Sequence, residues 1–82
     1  MKETIEKLRF FIVKSLLQSD MTLTDDALLI ESGILTSLQT IELVDFIARE
    51  FGVEIDPEEI NEEEFRSLST IASLVTRKKG GS

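Results

Sequence analysis

The residues able to do chemistry in this chain are hydroxyls, carboxylates and lysines. It has no histidine and no cysteine. The commonest general base, the commonest metal ligand and every thiolate nucleophile are therefore absent. No clustered carboxylate–lysine–hydroxyl set replaces them, so the sequence reads as a protein that is not an enzyme. Among the hydroxyls, Ser37 occupies a distinctive place. Thr36 is a suitable N-cap with Gln39 three residues on, a Thr-x-x-Gln capping box. Ser37 then falls in the first helical turn, beside free backbone N–H groups and the positive end of the helix dipole. A phosphate esterified there would be stabilised electrostatically. With no histidine to activate it, Ser37 is not a triad nucleophile. It reads as an attachment point, although spacing alone fits more simply a serine that only starts a helix.

The elements that must hold this turn follow from periodicity. In Glu3–Gln18, Ile5, Leu8, Ile12 and Leu16 recur at helical spacing, widened by Val13 and Leu17, with Phe10 and Phe11 as further core residues. Glu3 and Lys7 form an i,i+4 pair in the favourable order. Residues 19–36 lose the period. Asp20, Thr22, Thr24, Asp25 and Asp26 favour turns, and the apolar group Ala27–Ile30 predicts a short helical turn near Asp25–Ile30 that pins the loop. These aspartates lack the spacing and central glycine of a calcium loop and read as solvated, so no metal site is expected.

Helix two spans Ser37–Phe51. Leu38, Ile41, Val44 or Asp45, and Ala48 form one row, Leu43, Phe46, Ile47 and Phe51 widen the apolar face, and Gln39, Glu42 and Glu50 point outward. Gly52 is its C-cap. Asp56-Pro57 predicts a capped short helix, with a partly exposed helix or turn over 58–66. Ser69 is expected to cap a last helix bearing Ile71, Ala72, Leu74 and Val75, closed by Arg77, Lys78 and Lys79 at its negative end. The architecture predicted is all-α, a four-helix bundle of three long helices plus one short. Residues 1–79 form one domain, and Gly80-Gly81-Ser82 reads as a flexible tail or expression remnant.

Composition narrows the partners. The chain has 82 residues and a net charge of −7 from sixteen acidic and nine basic residues. Nucleic acid, which is bound by neutralising phosphates with Lys and Arg, is not an expected partner. Five Phe with no Tyr or Trp supply no base-stacking array. An acidic surface instead favours basic patches on other proteins. The apolar run Phe10–Val13 is too short for a signal-peptide core, and no stretch approaches the roughly 20 apolar residues of a membrane span. A cytoplasmic monomer, away from membranes, is the expectation.

The arrangement Leu29-x-x-Ser32-Gly33-Ile34-Leu35-Thr36-Ser37-Leu38, followed by Ile41-Glu42-Leu43-Val44, resembles the modification segment of acyl and peptidyl carrier proteins. The tail, from Phe51-Gly52-Val53-Glu54-Ile55 through Pro57-Glu58-Glu59 and Phe65-Arg66-Ser67-Leu68 to Ile71-Ala72-Ser73-Leu74-Val75, is similar to stand-alone amino-acyl carriers. The likeness covers residues 3–79. It implies an acyl-carrier-like bundle and a biosynthetic phosphoprotein. Ser37 would bear 4′-phosphopantetheine from coenzyme A, with Thr36 and Leu38 as motif neighbours. The thiol of that arm would hold an acyl or aminoacyl group as a thioester. The implied partners are a phosphopantetheinyl transferase, an acyl- or aminoacyl-activating ligase, and a downstream acyltransferase, synthase or condensing enzyme. Leu38, Gln39, Ile41 and Glu42 are the residues partners would read. The family motif is usually Asp-Ser-Leu. Here Thr36 stands in place of the aspartate, which in the family helps engage the modifying enzyme and its magnesium ion. The alternative is a small helical protein–protein interaction domain that is never modified.

Overall fold

The computed structural model describes residues 2–80. Among these the fold is all-helical, with no strand. Helix α1 (Lys2–Phe10) runs on without a break into a π-helical segment, Phe11–Leu16. Helix α2 is Ser37–Phe51 and α3 is Leu68–Gly80. Between α2 and α3 lies a 3₁₀ turn, Pro57–Glu59. The expected fourth helix is thus only that turn, followed by a non-helical turn at 62–65. Ile60 and Phe65 are the only large apolar residues in that acidic stretch, too few to bury a helical face.

Helix α1 packs on α3, α3 on α2, and the π segment on α2. The core they share contains Leu8 and Ile12 from the first helix, Leu43 and Ile47 from α2, and Leu68, Ile71, Leu74 and Val75 from α3, all essentially inaccessible. Burying one such side chain contributes roughly 1.5–3 kcal/mol, so this common centre dominates the balance against chain entropy. Phe11 stacks on Phe46 with ring centroids 4.0 Å apart, and Phe51 meets Phe46 edge-on at 6.2 Å.

The first helix departs from expectation in three ways. It winds as a π helix at its end, with Leu17 N–H donating to Ile12 O five residues back, and Gln18 (φ 48°) in the left-handed region closes it. Phe10 is not core; it is 67% exposed, because Leu8 and Ile12 take the inward positions on either side. Lys7 pairs with Glu50 of α2 at 3.2 Å, not with Glu3, since the neighbouring helix supplies a nearer carboxylate. Glu50 is exposed as expected, and its carboxylate pairs with Lys7 of α1.

The segment 17–36 makes turns at 25–26 and 29–33 in place of the expected helical turn. Leu23, Leu29 and Leu35 anchor it in the core. Arg9 fastens it from outside: its Nε donates to Leu23 O at 2.8 Å and its guanidinium pairs with Asp25 and Glu6. Two backbone bonds tie it to the start of α3, Leu29 N–H to Arg66 O (2.8 Å) and Ser69 N–H to Asp25 O (3.1 Å).

That second bond corrects the expected cap of α3. Ser69 lies inside the helix, and Ser67 begins it. Thr70 N–H donates to Ser67 Oγ at 3.3 Å, and Ser67 N–H donates to Thr70 Oγ1 at 3.0 Å. At the far end Arg77 reaches Glu64 (2.8 Å), and Lys78 reaches Glu59 (2.5 Å) and Asp56 (3.5 Å), clamping α3 to the 3₁₀ turn. Gly80 is the last residue of α3, so it is helical, whereas Gly81 and Ser82 of the expected tail lie outside the described residues. No helix among the described residues is long and apolar enough to cross a membrane.

Candidate functional site

Helix α2 begins and ends where its sequence dictates. Thr36 is extended (φ −85°, ψ 172°), and its Oγ1 accepts from Gln39 N–H at 3.1 Å while Gln39 Oε1 accepts from Thr36 N–H at 2.9 Å. Thr40 adds two bonds to the Thr36 carbonyl, through its N–H and its hydroxyl, both 2.9 Å. At the other end Gly52 sits at φ 68°, the left-handed conformation of a glycine cap. Upstream, Gly33 (φ 78°) turns the chain and buried Leu35 nails the turn to the core. This frame fixes the first residue of α2.

That residue is Ser37, first in α2 and exposed. Its hydroxyl has no hydrogen-bond partner among the described residues, and neither do the backbone N–H groups of Ser37 and Leu38. These are donors that a helix leaves orphaned at its start. Beside Ser37 opens a cleft of about 600 Å³ between the start of α2 and the 60–65 segment. Ile30, Leu35, Ile41, Ile60 and Phe65 form its apolar wall, and Thr36, Thr40, Asn61 and Glu62 its polar part. No sequence pattern points to this cleft, because it joins residues 30–41 to residues 60–65, which are distant in the chain.

The four residues expected to meet partners divide. Leu38 is 70% and Ile41 53% exposed, more than their places on the apolar row of α2 suggested. Glu42 is exposed as expected. Gln39 is not simply outward: half-buried, it spends its carboxamide on the capping box and on Leu16 O, to which its Nε2 donates at 3.4 Å. Two further grooves, which share Glu6 and Phe10, lie along α1, and no residue of theirs lines the cleft at Ser37. What the site can do chemically is accept a substituent. An unencumbered hydroxyl stands beside two free N–H donors, with a largely apolar recess alongside.

Comparison with known proteins identifies the family. A family model described as the phosphopantetheine attachment site matches residues 12–77. The chain belongs to this phosphopantetheine-attachment family. It is a carrier domain and not a catalyst, and the family's cofactor is covalently attached 4′-phosphopantetheine. Carrier domains of this kind work by meeting a modifying enzyme and partner enzymes in turn. No curated protein matches. Among solved structures, the carrier is similar to a chain in a crystal structure of an FAD-dependent dehydrogenase, with 37% identity and a TM-score of 0.76 over 82% of this chain and 96% of that one. Such coverage makes the matched chain about as small as the carrier itself.

Proposed function

We propose that Ser37 bears the phosphopantetheine arm and that the carrier delivers an acyl or aminoacyl group, held on it as a thioester, to partner enzymes. The observation that carries this reading is the free, exposed hydroxyl at the first position of α2, inside the matched span. Of the other serines near helix starts or turns, Ser67 is buried and bonded to Thr70, Ser32 Oγ donates to Leu28 O, Ser19 Oγ accepts from Met21 N–H, and Ser69 is half-buried in the first turn of α3, against the loop whose Asp25 carbonyl takes its N–H. Ser15 is exposed but sits within the π segment, with no helix N-terminus beside it.

The residues present fit the group. A phosphodiester on Ser37 would lie against the N–H groups of Ser37 and Leu38 at the positive end of α2. The cleft walled by Ile41, Ile60 and Phe65 offers an apolar surface to an arm or cargo folded back along the domain. When attached, the arm supplies the thiol that a cysteine-free chain lacks. Leu38, Ile41 and Glu42 are the surface that partners read, and the acidic surface favours basic partners. Those partners are a phosphopantetheinyl transferase, a loading ligase and a downstream enzyme. The similarity to a small chain from an FAD-dependent dehydrogenase crystal supports a flavin dehydrogenase acting on the tethered group as one of them.

The test is incubation with coenzyme A and a broad-specificity phosphopantetheinyl transferase, followed by intact mass and peptide mapping. The expected result is one added arm, on Ser37, and none on Ser37→Ala. Absence of added mass, or equal labelling of Ser37→Ala, refutes the assignment and leaves the unmodified interaction domain as the reading.

A further inference from the structure

Gln39 was a surface residue by periodicity, yet its side chain closes two helix ends at once. Its Oε1 accepts from Thr36 N–H at the start of α2 (2.9 Å), and its Nε2 donates to Leu16 O, the last residue of the π segment (3.4 Å). Its own N–H is held by Thr36 Oγ1 (3.1 Å). The carbonyls at the end of a helix have no acceptor role within it and need outside donors. Here the donor comes from the first turn of another helix, 23 residues away. Ser37 lies between Thr36 and Gln39, so this carboxamide ties its turn directly to the end of the first helix, while the Phe11–Phe46 stack and the Lys7–Glu50 pair join the two helices farther along α2.

We propose that Gln39 is a positioning residue for the modification of Ser37, acting by tying the first turn of α2 to the end of the π segment. The proposal rests on the assignment of Ser37 as the attachment site. Capping and tying use different atoms of the same amide, which allows them to be separated. Gln39→Glu keeps an oxygen acceptor for Thr36 N–H, and glutamate is a favoured residue at this place in a capping box. It loses the N–H donor and sets a carboxylate against the Leu16 carbonyl. Gln39→Ala loses both functions.

The experiment measures phosphopantetheine transfer from coenzyme A at varied concentrations of wild-type, Gln39→Ala and Gln39→Glu carrier, with amide hydrogen exchange by NMR on the same unmodified proteins. Misplacement of a reacting group by an ångström can cost on the order of a hundredfold, so looser tethering is expected to lower kcat about tenfold in both variants. KM for the carrier should stay within about twofold of wild type, a split that belongs to positioning and not to docking. Exchange at Leu17 and Ser19, whose N–H groups bond Ile12 O and Val13 O, should quicken several-fold in Gln39→Glu although the substitution is on α2. Full recovery of kcat in Gln39→Glu would reduce Gln39 to an ordinary cap and overturn the proposal. So would a change confined to KM, or unaltered exchange at Leu17 and Ser19. Wild-type carrier that accepts no arm at all would instead refute the assignment of Ser37, and the exchange data would still decide whether the tie exists.

Discussion

Thr36 invites a quantitative prediction because the capping geometry around it is complete. Thr36→Ala removes one acceptor, the Oγ1 that holds Gln39 N–H at 3.1 Å, and leaves the reciprocal bond from Thr36 N–H to Gln39 Oε1 possible. The site is exposed, so water can replace the lost acceptor and the larger penalty for a buried unsatisfied donor does not apply. The expected cost is therefore that of a lost cap, about 1 kcal/mol, or about fivefold in the folding equilibrium. Thr36→Asp keeps an acceptor and places a negative charge at the positive end of α2, a gain of about 0.5 kcal/mol. With a urea dependence of about 1 kcal/mol per molar for so small a domain, the midpoint should fall by about 1 M for alanine and rise by about 0.5 M for aspartate. Urea titrations followed by far-ultraviolet circular dichroism measure both. An alanine variant as stable as wild type, or an aspartate variant no more stable than alanine, would refute the capping argument. The aspartate variant also restores the usual family motif and should accept the arm at least as fast as wild type.

Other perturbations have equally definite expectations. Phe65→Ala, at a fully buried ring, should cost roughly 3–5 kcal/mol, whereas Phe10→Ser at the exposed one should stay within about 0.5 kcal/mol, both read from denaturant midpoints. Glu42→Lys should slow transfer by a basic partner, and more at low salt than at high salt; equal rates at both would remove Glu42 from the interface. The Lys78 ammonium, followed by the Asp56 N–H, holds the Glu59 carboxylate below the ordinary glutamate value of 4.5. The stabilisation from Glu59 is thus present above about pH 4.5 and is lost as pH falls through the depressed value. Glu59 in turn raises Lys78 above 10.5, so that contribution is present below pH 10.5 and is lost as pH rises beyond the raised value. Glu59→Gln should flatten both limbs of a stability–pH profile, and an unchanged profile would deny the pair a role.

Much of the carrier could be read from local chemistry. Helix α2 is bounded where its Thr36–Gln39 box and Gly52 said, because both devices act within a few residues of themselves. Ser37 is where that box placed it. What could not be read depended on distant partners. Lys7 turned to Glu50 and not Glu3, and Gln39 turned to Leu16, since each choice is made by a neighbouring helix. Phe10 looks like its neighbour Phe11 in the sequence, yet only Phe11 finds Phe46 to stack on. The cap of α3 is Ser67 and not Ser69: the two are equally good caps in isolation, and the reciprocal bonding of Ser67 and Thr70 is not the usual box. The acidic run after Pro57 had too few apolar residues for the fourth helix assigned to it. The cleft beside Ser37 needed the fold itself.

The π segment stores chain length. Each of its hydrogen bonds encloses one residue more than an α-helical bond, so the first helix holds a residue that its span does not require. Removing exposed Ser15 should let Phe11–Leu16 rewind as α-helix, with the faces bearing Leu8 and Leu17 kept in register; near-native helicity and a retained unfolding midpoint would show it. The stretch thus has the geometry of an absorbed insertion, and the distance from α1 to the turn that bears Ser37 should be insensitive to a one-residue change in length there.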